Sequence, residues 1–140
     1  MIKVKILSVG KTKERWLEEA IQEYCKRLKS SIAFEFVWAK DDNALLLLAE
    51  KEPLIIALDP NGTLYTSEDF SHFLFQKLEL GGSRLSFVIG SSLGLPQAFK
   101  EKHTLISLST LTFTHQLTRL VLIEQIYRAT EIAKGSAYHK

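Results

Sequence analysis

Leu85-Ser86-Phe87-Val88-Ile89-Gly90-Ser91-Ser92-Leu93-Gly94-Leu95-Pro96 is the stretch whose reading decides the fold. Leu85–Ile89 is a short, mostly apolar run, as expected for a strand in a sheet covered on both faces. It runs into a loop at Gly90–Leu95. Pro96 suits the first position of a short helix reaching about Lys102, because its φ is already fixed near the helical value. A buried strand, a glycine-containing loop and a helix form half of a parallel β–α–β unit.

The same alternation continues in both directions. Ile2–Val9 reads as a strand turning at Gly10-Lys11. Trp16, Leu17, Ala20, Ile21, Tyr24 and Leu28 then recur at helical spacing. Ile32, Phe34, Phe36 and Trp38 alternate like a half-buried strand, and Asp41–Glu50 suits a short helix ended before Pro53. Leu54–Leu58 is a second buried strand, followed by a turn signal at Asp59-Pro60-Asn61-Gly62. Thr66 and Asp69 resemble a capping box ahead of Phe70, Phe73, Leu74 and Leu78, and Gly81-Gly82 closes that helix. Thr104–Leu108 is a fifth strand, Ser109–His115 a loop, and Gln116–Lys134 the longest helix, closed by Gly135. The pattern predicts one α/β domain over residues 1–140 with a mostly parallel sheet. Ligands of such sheets sit beyond the carboxyl ends of the strands, so the loops after Leu58, Ile89 and Leu108 are the candidate site.

Composition narrows the function classes. The 140 residues are 46% hydrophobic and 24% charged, with a formal net charge of +2, values of a globular chain rather than a disordered one. Near-neutrality argues against a polyanion binder held by bulk charge. The last forty residues carry five basic and three acidic side chains plus His103, His115 and His139, so a bound polyanion is expected there. The lone Cys25 rules out an intramolecular disulfide and a thiolate metal cluster. The four histidines lack metal-site spacing, so no metal is expected. No run is long enough to span a bilayer and the N-terminus has no signal-peptide pattern, so a cytoplasmic protein is expected. There is no GxxxxGK[ST], GxGxxG or HExxH.

Several stretches carry more information in their joint order. Phe87-Val88-Ile89-Gly90-Ser91-Ser92-Leu93-Gly94-Leu95 is followed by Leu108-Ser109-Thr110-Leu111-Thr112-Phe113-Thr114-His115-Gln116. Then come Arg119–Ala129 and the closing Gly135-Ser136-Ala137-Tyr138-His139-Lys140. With Lys5–Lys11, Glu23-Tyr24, Lys26-Arg27-Leu28 and Ile56–Asp59, they make the whole chain resemble the SPOUT-class ribosomal large-subunit pseudouridine N3-methyltransferases.

That resemblance implies an α/β-knot fold, with a mostly parallel sheet, helices on both faces and a C-terminal trefoil knot. It implies a homodimer that takes its methyl group from S-adenosyl-L-methionine, releases S-adenosyl-L-homocysteine, and acts on 23S rRNA within the ribosome. The family's cofactor loops map to Leu58, Gly90, Leu108, Ser109, Thr110, Leu111, Thr112 and Phe113. The N3–H of a uracil ring is weakly acidic and must be lost for attack, which calls for a base and a cation to stabilise the anion. His139, Arg119 and Arg128 are candidates for those roles, and Tyr138 for stacking on the base. Bland alternatives exist: an i,i+4 pair of Arg128 with Glu124, and a solvated tail for His139. The apolar spread of the last helix, from Leu117 to Ala133, suits a subunit interface or a position between two layers of one monomer.

The chain departs from the family at two positions. Ser91 stands where a second glycine is usual, and Thr114 where proline precedes the histidine. Ser91 is harmless if its φ is negative and costly in a glycine-only region. Thr114 gives up a fixed φ. The rival readings are a noncatalytic ribosome-binding or assembly factor of the same fold, and a methyltransferase directed at tRNA.

Overall fold

The computed structural model describes residues 1–140 as five strands and five helices in strict alternation. They are β1 (Ile2–Val9), α1 (Arg15–Arg27), β2 (Ile32–Ala39), α2 (Asp42–Ala49), β3 (Ile55–Leu64), α3 (Ser67–Leu80), β4 (Arg84–Ile89), α4 (Gln97–Lys102), β5 (Thr104–Ser107) and α5 (His115–Lys134). The strands form one sheet in the order β2-β1-β4-β3-β5, with every pairing parallel.

Strand chemistry follows burial. In β4, Leu85 to Ile89 are all buried, so each face of this inner strand is covered. One face packs against α1, α3 and α5 through Leu17, Ile21, Phe70, Leu74, Leu122, Ile123 and Ile126. The other packs against α2 and α4 through Leu45, Ala49, Leu95 and Phe99. Helices therefore cover both faces, and each crossover returns the chain in the same direction.

Helix ends are set by side chains where the sequence supplies them. Thr66 accepts from the Asp69 amide at 3.0 Å, so the capping-box reading holds on the threonine side. Asp41 caps α2 through the Ala44 amide at 2.8 Å. Gly135 ends α5 at φ +72°, a left-handed position that glycine occupies without cost. Pro96 lies one residue outside α4, as its N-cap.

The turn expected at Asp59–Gly62 is instead part of β3. Leu58 and Thr63 both stand opposite Ile106 of β5, so the residues between them bulge out of the ladder while the strand continues to Leu64. Gly62 explains how two strands can be so close: a Cβ there would lie 2.5 Å from the Ile106 carbonyl carbon. The turn residues were read correctly for their conformational freedom, but that freedom serves a bulge.

Candidate functional site

A cleft of about 830 Å³ opens at the carboxyl ends of β3, β4 and β5. Its wall contains Leu58, Gly90, Leu108, Ser109, Leu111, Thr112 and Phe113, seven of the eight positions mapped for the cofactor. Thr110 is absent from the lining. Asp59, Ser91, Leu95, His115, Lys13 and Trp16 complete the parts used below.

Local hydrogen bonding shapes these loops. Ser107 donates to the Ser109 carbonyl at 2.9 Å, and Ser109 Oγ accepts from the Leu111 amide at 2.9 Å. A Cβ on Gly90 would come within 3.0 Å of Leu95, so glycine lets the β4 strand end tuck beneath the loop that follows. Ser91 is not among the left-handed residues. Its hydroxyl donates to Asp42 Oδ2 at 2.6 Å and accepts from the Leu93 amide at 3.3 Å, so the departure from glycine adds a brace. Thr114 has φ −62°, close to the value a proline would impose, and its hydroxyl caps α5 through the Leu117 amide at 3.2 Å.

Asp59 was hidden from sequence reading by its turn-like neighbours. Its side chain is only 2% exposed and pairs with Lys100 of α4 at 2.8 Å, while Oδ1 accepts from the Asn61 amide at 2.9 Å. The pair ties the β3 bulge to α4 across one wall of the cleft. His115 sits at the cleft mouth, where burial first, then the positive charges of Arg119 and Lys13, pushes its pKa below the usual value.

Arg119 lies beneath this region and does not line the cleft. It is wholly buried, and no carboxylate pairs with it. Its Nη2 donates to Val9 O at 2.8 Å and Ser8 Oγ at 3.0 Å, and to Gly10 O; its Nη1 donates to Thr12 Oγ1 at 3.0 Å. The guanidinium also stacks 4.2 Å above the Trp38 ring. Burial lowers its pKa to about 10, leaving it protonated at neutral pH.

The other three candidates meet elsewhere, toward the C-terminal end of α5. Arg128 pairs with Glu124 at 2.8 Å, as the i,i+4 reading expected. Tyr138 donates its hydroxyl to Glu124 Oε2 at 2.7 Å, and its ring stacks edge-on against Tyr127 at 4.7 Å. His139 is bound on both sides, Nδ1 at 3.1 Å from Arg128 Nη1 and Nε2 at 2.7 Å from Glu68 Oε1. A guanidinium can only donate, so Nδ1 is the acceptor and Nε2 carries the proton given to Glu68. The tail is thus latched rather than loose. Nine residues of helix separate Arg119 from Arg128, about 13 Å along the axis. Within one chain, the cleft and this cluster are two places.

A parallel α/β sheet with a cleft at its strand ends and a long C-terminal helix fits a methyltransferase of the SPOUT class. The family model described as "Predicted SPOUT methyltransferase" matches residues 2–139, and the chain belongs to that family. Among curated proteins, "Ribosomal RNA large subunit methyltransferase H" of Protochlamydia amoebophila is 61% identical over 140 residues, covering all of both chains. The protein of the same name from Streptococcus uberis is 42% identical, over 99% of this chain and all of that one. Among solved structures, a probable methylase family protein from Haemophilus influenzae superposes with a TM-score of 0.54. It is 12% identical and aligned over 94% of this chain and 66% of that one, a likeness of fold alone.

Proposed function

We propose that this protein methylates N3 of a pseudouridine in 23S rRNA of the large ribosomal subunit, using S-adenosyl-L-methionine, as a homodimer acting on assembled ribosomes in the cytoplasm. The observation that carries the reading is the cleft itself. Seven of the eight residues mapped for the cofactor line one cavity, in a chain 61% identical to a protein named as a large-subunit rRNA methyltransferase.

The residues present fit the cofactor. Leu58, Leu95, Leu108, Leu111 and Phe113 offer apolar walls, and the volume lies within the usual range for small-molecule sites. When bound, S-adenosyl-L-methionine supplies an electrophilic methyl group on a sulfonium and leaves as S-adenosyl-L-homocysteine. The chain's own task is to hold the donor and the uracil edge in line, a matter of orientation. Backbone groups of the 90–95 and 108–113 loops would meet the donor's polar edges, and the self-bonded Ser109 turn holds the shape of the second loop.

The acceptor side needs positive charge where the imide anion forms. Arg128 carries it, held by Glu124 and His139, while Tyr138 offers a ring for the base. A homodimer with α5 packed antiparallel on its twofold mate would set the tail cluster of each copy over the cleft of the other. The partly exposed Leu117, Leu120 and Val121 are the apolar seam available for that contact. Arg119, closed off within its own chain, serves beneath the site. The trefoil knot is part of the same reading. β5 lies at the far edge beyond β3, yet Gln116 bonds to the main chain of Lys11 and Lys13 beyond the end of β1, so residues 108–114 must cross the ends of β3 and β4 beside the 90–95 loop. A crystal structure tracing that segment through the loop checks the threading; a path outside it excludes the knot.

The test of function uses large subunits and whole ribosomes from a strain lacking the methyltransferase, incubated with purified protein and S-adenosyl-L-methionine and mapped by mass spectrometry. N3-methylpseudouridine in 23S rRNA is expected. Methyl transfer to tRNA alone would redirect the substrate, and ribosome binding without cofactor binding would make the protein an assembly factor.

A further inference from the structure

Two unusual features meet at the segment Lys11–Trp16. The first is the effort spent holding its main chain. Arg119 takes the carbonyls of Val9 and Gly10 and the hydroxyl of Thr12, while Gln116 donates to Lys11 O at 3.0 Å and accepts from Lys13 N–H at 3.3 Å. A buried guanidinium without a carboxylate is costly, and its hydrogen bonds here go chiefly to Ser8, Val9 and Gly10 at the root of this segment, with one to Thr12 within it. The second feature is what the anchored segment displays. Lys11, Lys13, Arg15 and Trp16 are all exposed, Trp16 to 56% beside the cleft. Arg15 pairs with Glu19, but Lys11 and Lys13 have no ion-pair partner.

We propose that Lys11, Lys13 and Trp16 form a docking platform for unpaired nucleotides of the substrate RNA, next to the nucleotide that enters the cleft. This deepens the rRNA-methylation reading and rests on it. An exposed indole accepts a base on its face whatever the sequence, and the flanking ammonium groups sit where phosphates of a stacked strand would run. Lys13 and Trp16 share the cleft wall with Gly90 and Phe113, so a strand on the platform continues into the site. The +2 net charge suits local capture by a few cations and a stacking ring, not bulk attraction. In this arrangement α5 contributes the anchors, Gln116 and Arg119, and the N-terminal segment contributes the contacts. Arg119 acts through the platform and is a positioning residue.

The experiment measures binding of dimeric protein to purified large ribosomal subunits and to a short oligouridylate across a salt series. Calorimetry with S-adenosyl-L-methionine and sedimentation run in parallel. Trp16→Ala should weaken RNA binding about tenfold and Trp16→Phe much less, because the phenyl face still stacks. Lys11→Ala with Lys13→Ala should lower the salt slope by about two. Gln116→Ala, which alters no platform side chain, should weaken RNA binding by a smaller factor. Cofactor affinity should stay within twofold in Lys11→Ala, whose side chain lies off the cleft wall. Undiminished RNA binding by the Trp16 and lysine variants, with wild type binding normally, overturns the platform alone. Wild-type protein that binds neither RNA overturns the methylation reading and the platform together. Dissociation of a dimer by Trp16→Ala assigns the indole to a second copy of the chain and also overturns the proposal.

Discussion

The cleft and the tail cluster lie toward opposite ends of α5 and are built by opposite means. The cleft is shaped by main chain: a glycine that admits Leu95, serine hydroxyls that close turns on themselves, and one ion pair between β3 and α4. The tail cluster is almost entirely side chain, with Glu124, Arg128, Tyr138, His139 and Glu68 joined by four contacts of 2.7–3.1 Å. The first fixes a shape before any ligand arrives. The second gathers charge and aromatic surface on groups that remain partly exposed. In the proposed methyl transfer, orientation would be the cleft's contribution and electrostatic stabilisation the tail's.

The largest effect should come from the residue that anchors the cleft side. Arg119→Met leaves the Ser8 hydroxyl and the Val9 and Gly10 carbonyls short of a donor, and a loss of about 3 kcal/mol in urea unfolding is expected. An unchanged midpoint would show that the anchor is not needed. On the tail side, Glu124→Gln keeps an acceptor for Tyr138 but removes the charge beside Arg128. Turnover should fall about tenfold, roughly 1.4 kcal/mol, with cofactor affinity unchanged; weaker cofactor binding would erase the division between the regions. Ser91→Ala removes the hydroxyl's bonds to Asp42 and Leu93 but keeps the main-chain bond to Asp42, should cost about 1 kcal/mol, and should weaken S-adenosyl-L-methionine binding without altering the tail.

Titration separates the regions more gently. His115 has a lowered pKa when folded, so the unfolded chain takes up its proton first, and stability should fall as pH drops below about 6.5. Tyr138 is shifted the other way, first by burial and then by its bond to Glu124. The unfolded chain therefore loses that proton first, and stability should fall as pH rises above about 10. His115→Gln should flatten the acid limb and Tyr138→Phe the alkaline limb of a stability–pH profile. The smallest change expected is Thr114→Pro, which exchanges a hydroxyl cap for a fixed φ near the observed −62° and should stay within about 0.5 kcal/mol.

What could be read from sequence divides along the same line. Strand and helix periodicity located all ten elements, because each buries at least one face and apolar spacing records that burial. The loops after Leu58, Ile89 and Leu108 were legible as a candidate site because a parallel sheet takes its ligands beyond the strand ends, and the family resemblance marked the cofactor positions within them. Asp59 was not, since Asp-Pro-Asn-Gly has the same local chemistry in a turn as in a bulge; only the pairing of both Leu58 and Thr63 with Ile106 tells them apart. Arg119 was singled out as a catalytic candidate, yet its burial could not be foreseen, because the groups that satisfy it lie more than a hundred residues away in Ser8, Val9, Gly10 and Thr12. Nor does spacing reveal Glu68, which meets His139 only through the packing of α3 on α5.

The Arg119 anchor also has a consequence for biogenesis. β1 leaves the ribosome first and takes an inner place in the sheet, but the guanidinium that fastens its end is made roughly 110 residues later. Vectorial folding can therefore assemble strands and early helices, while the mouth of the cleft stays unfastened until α5 emerges. A nascent chain stalled before α5 would expose the apolar face that this helix covers, together with the unmet carbonyls of Val9 and Gly10. Stalled chains truncated before His115 should accordingly be captured by chaperones and digested faster by protease than chains released at full length.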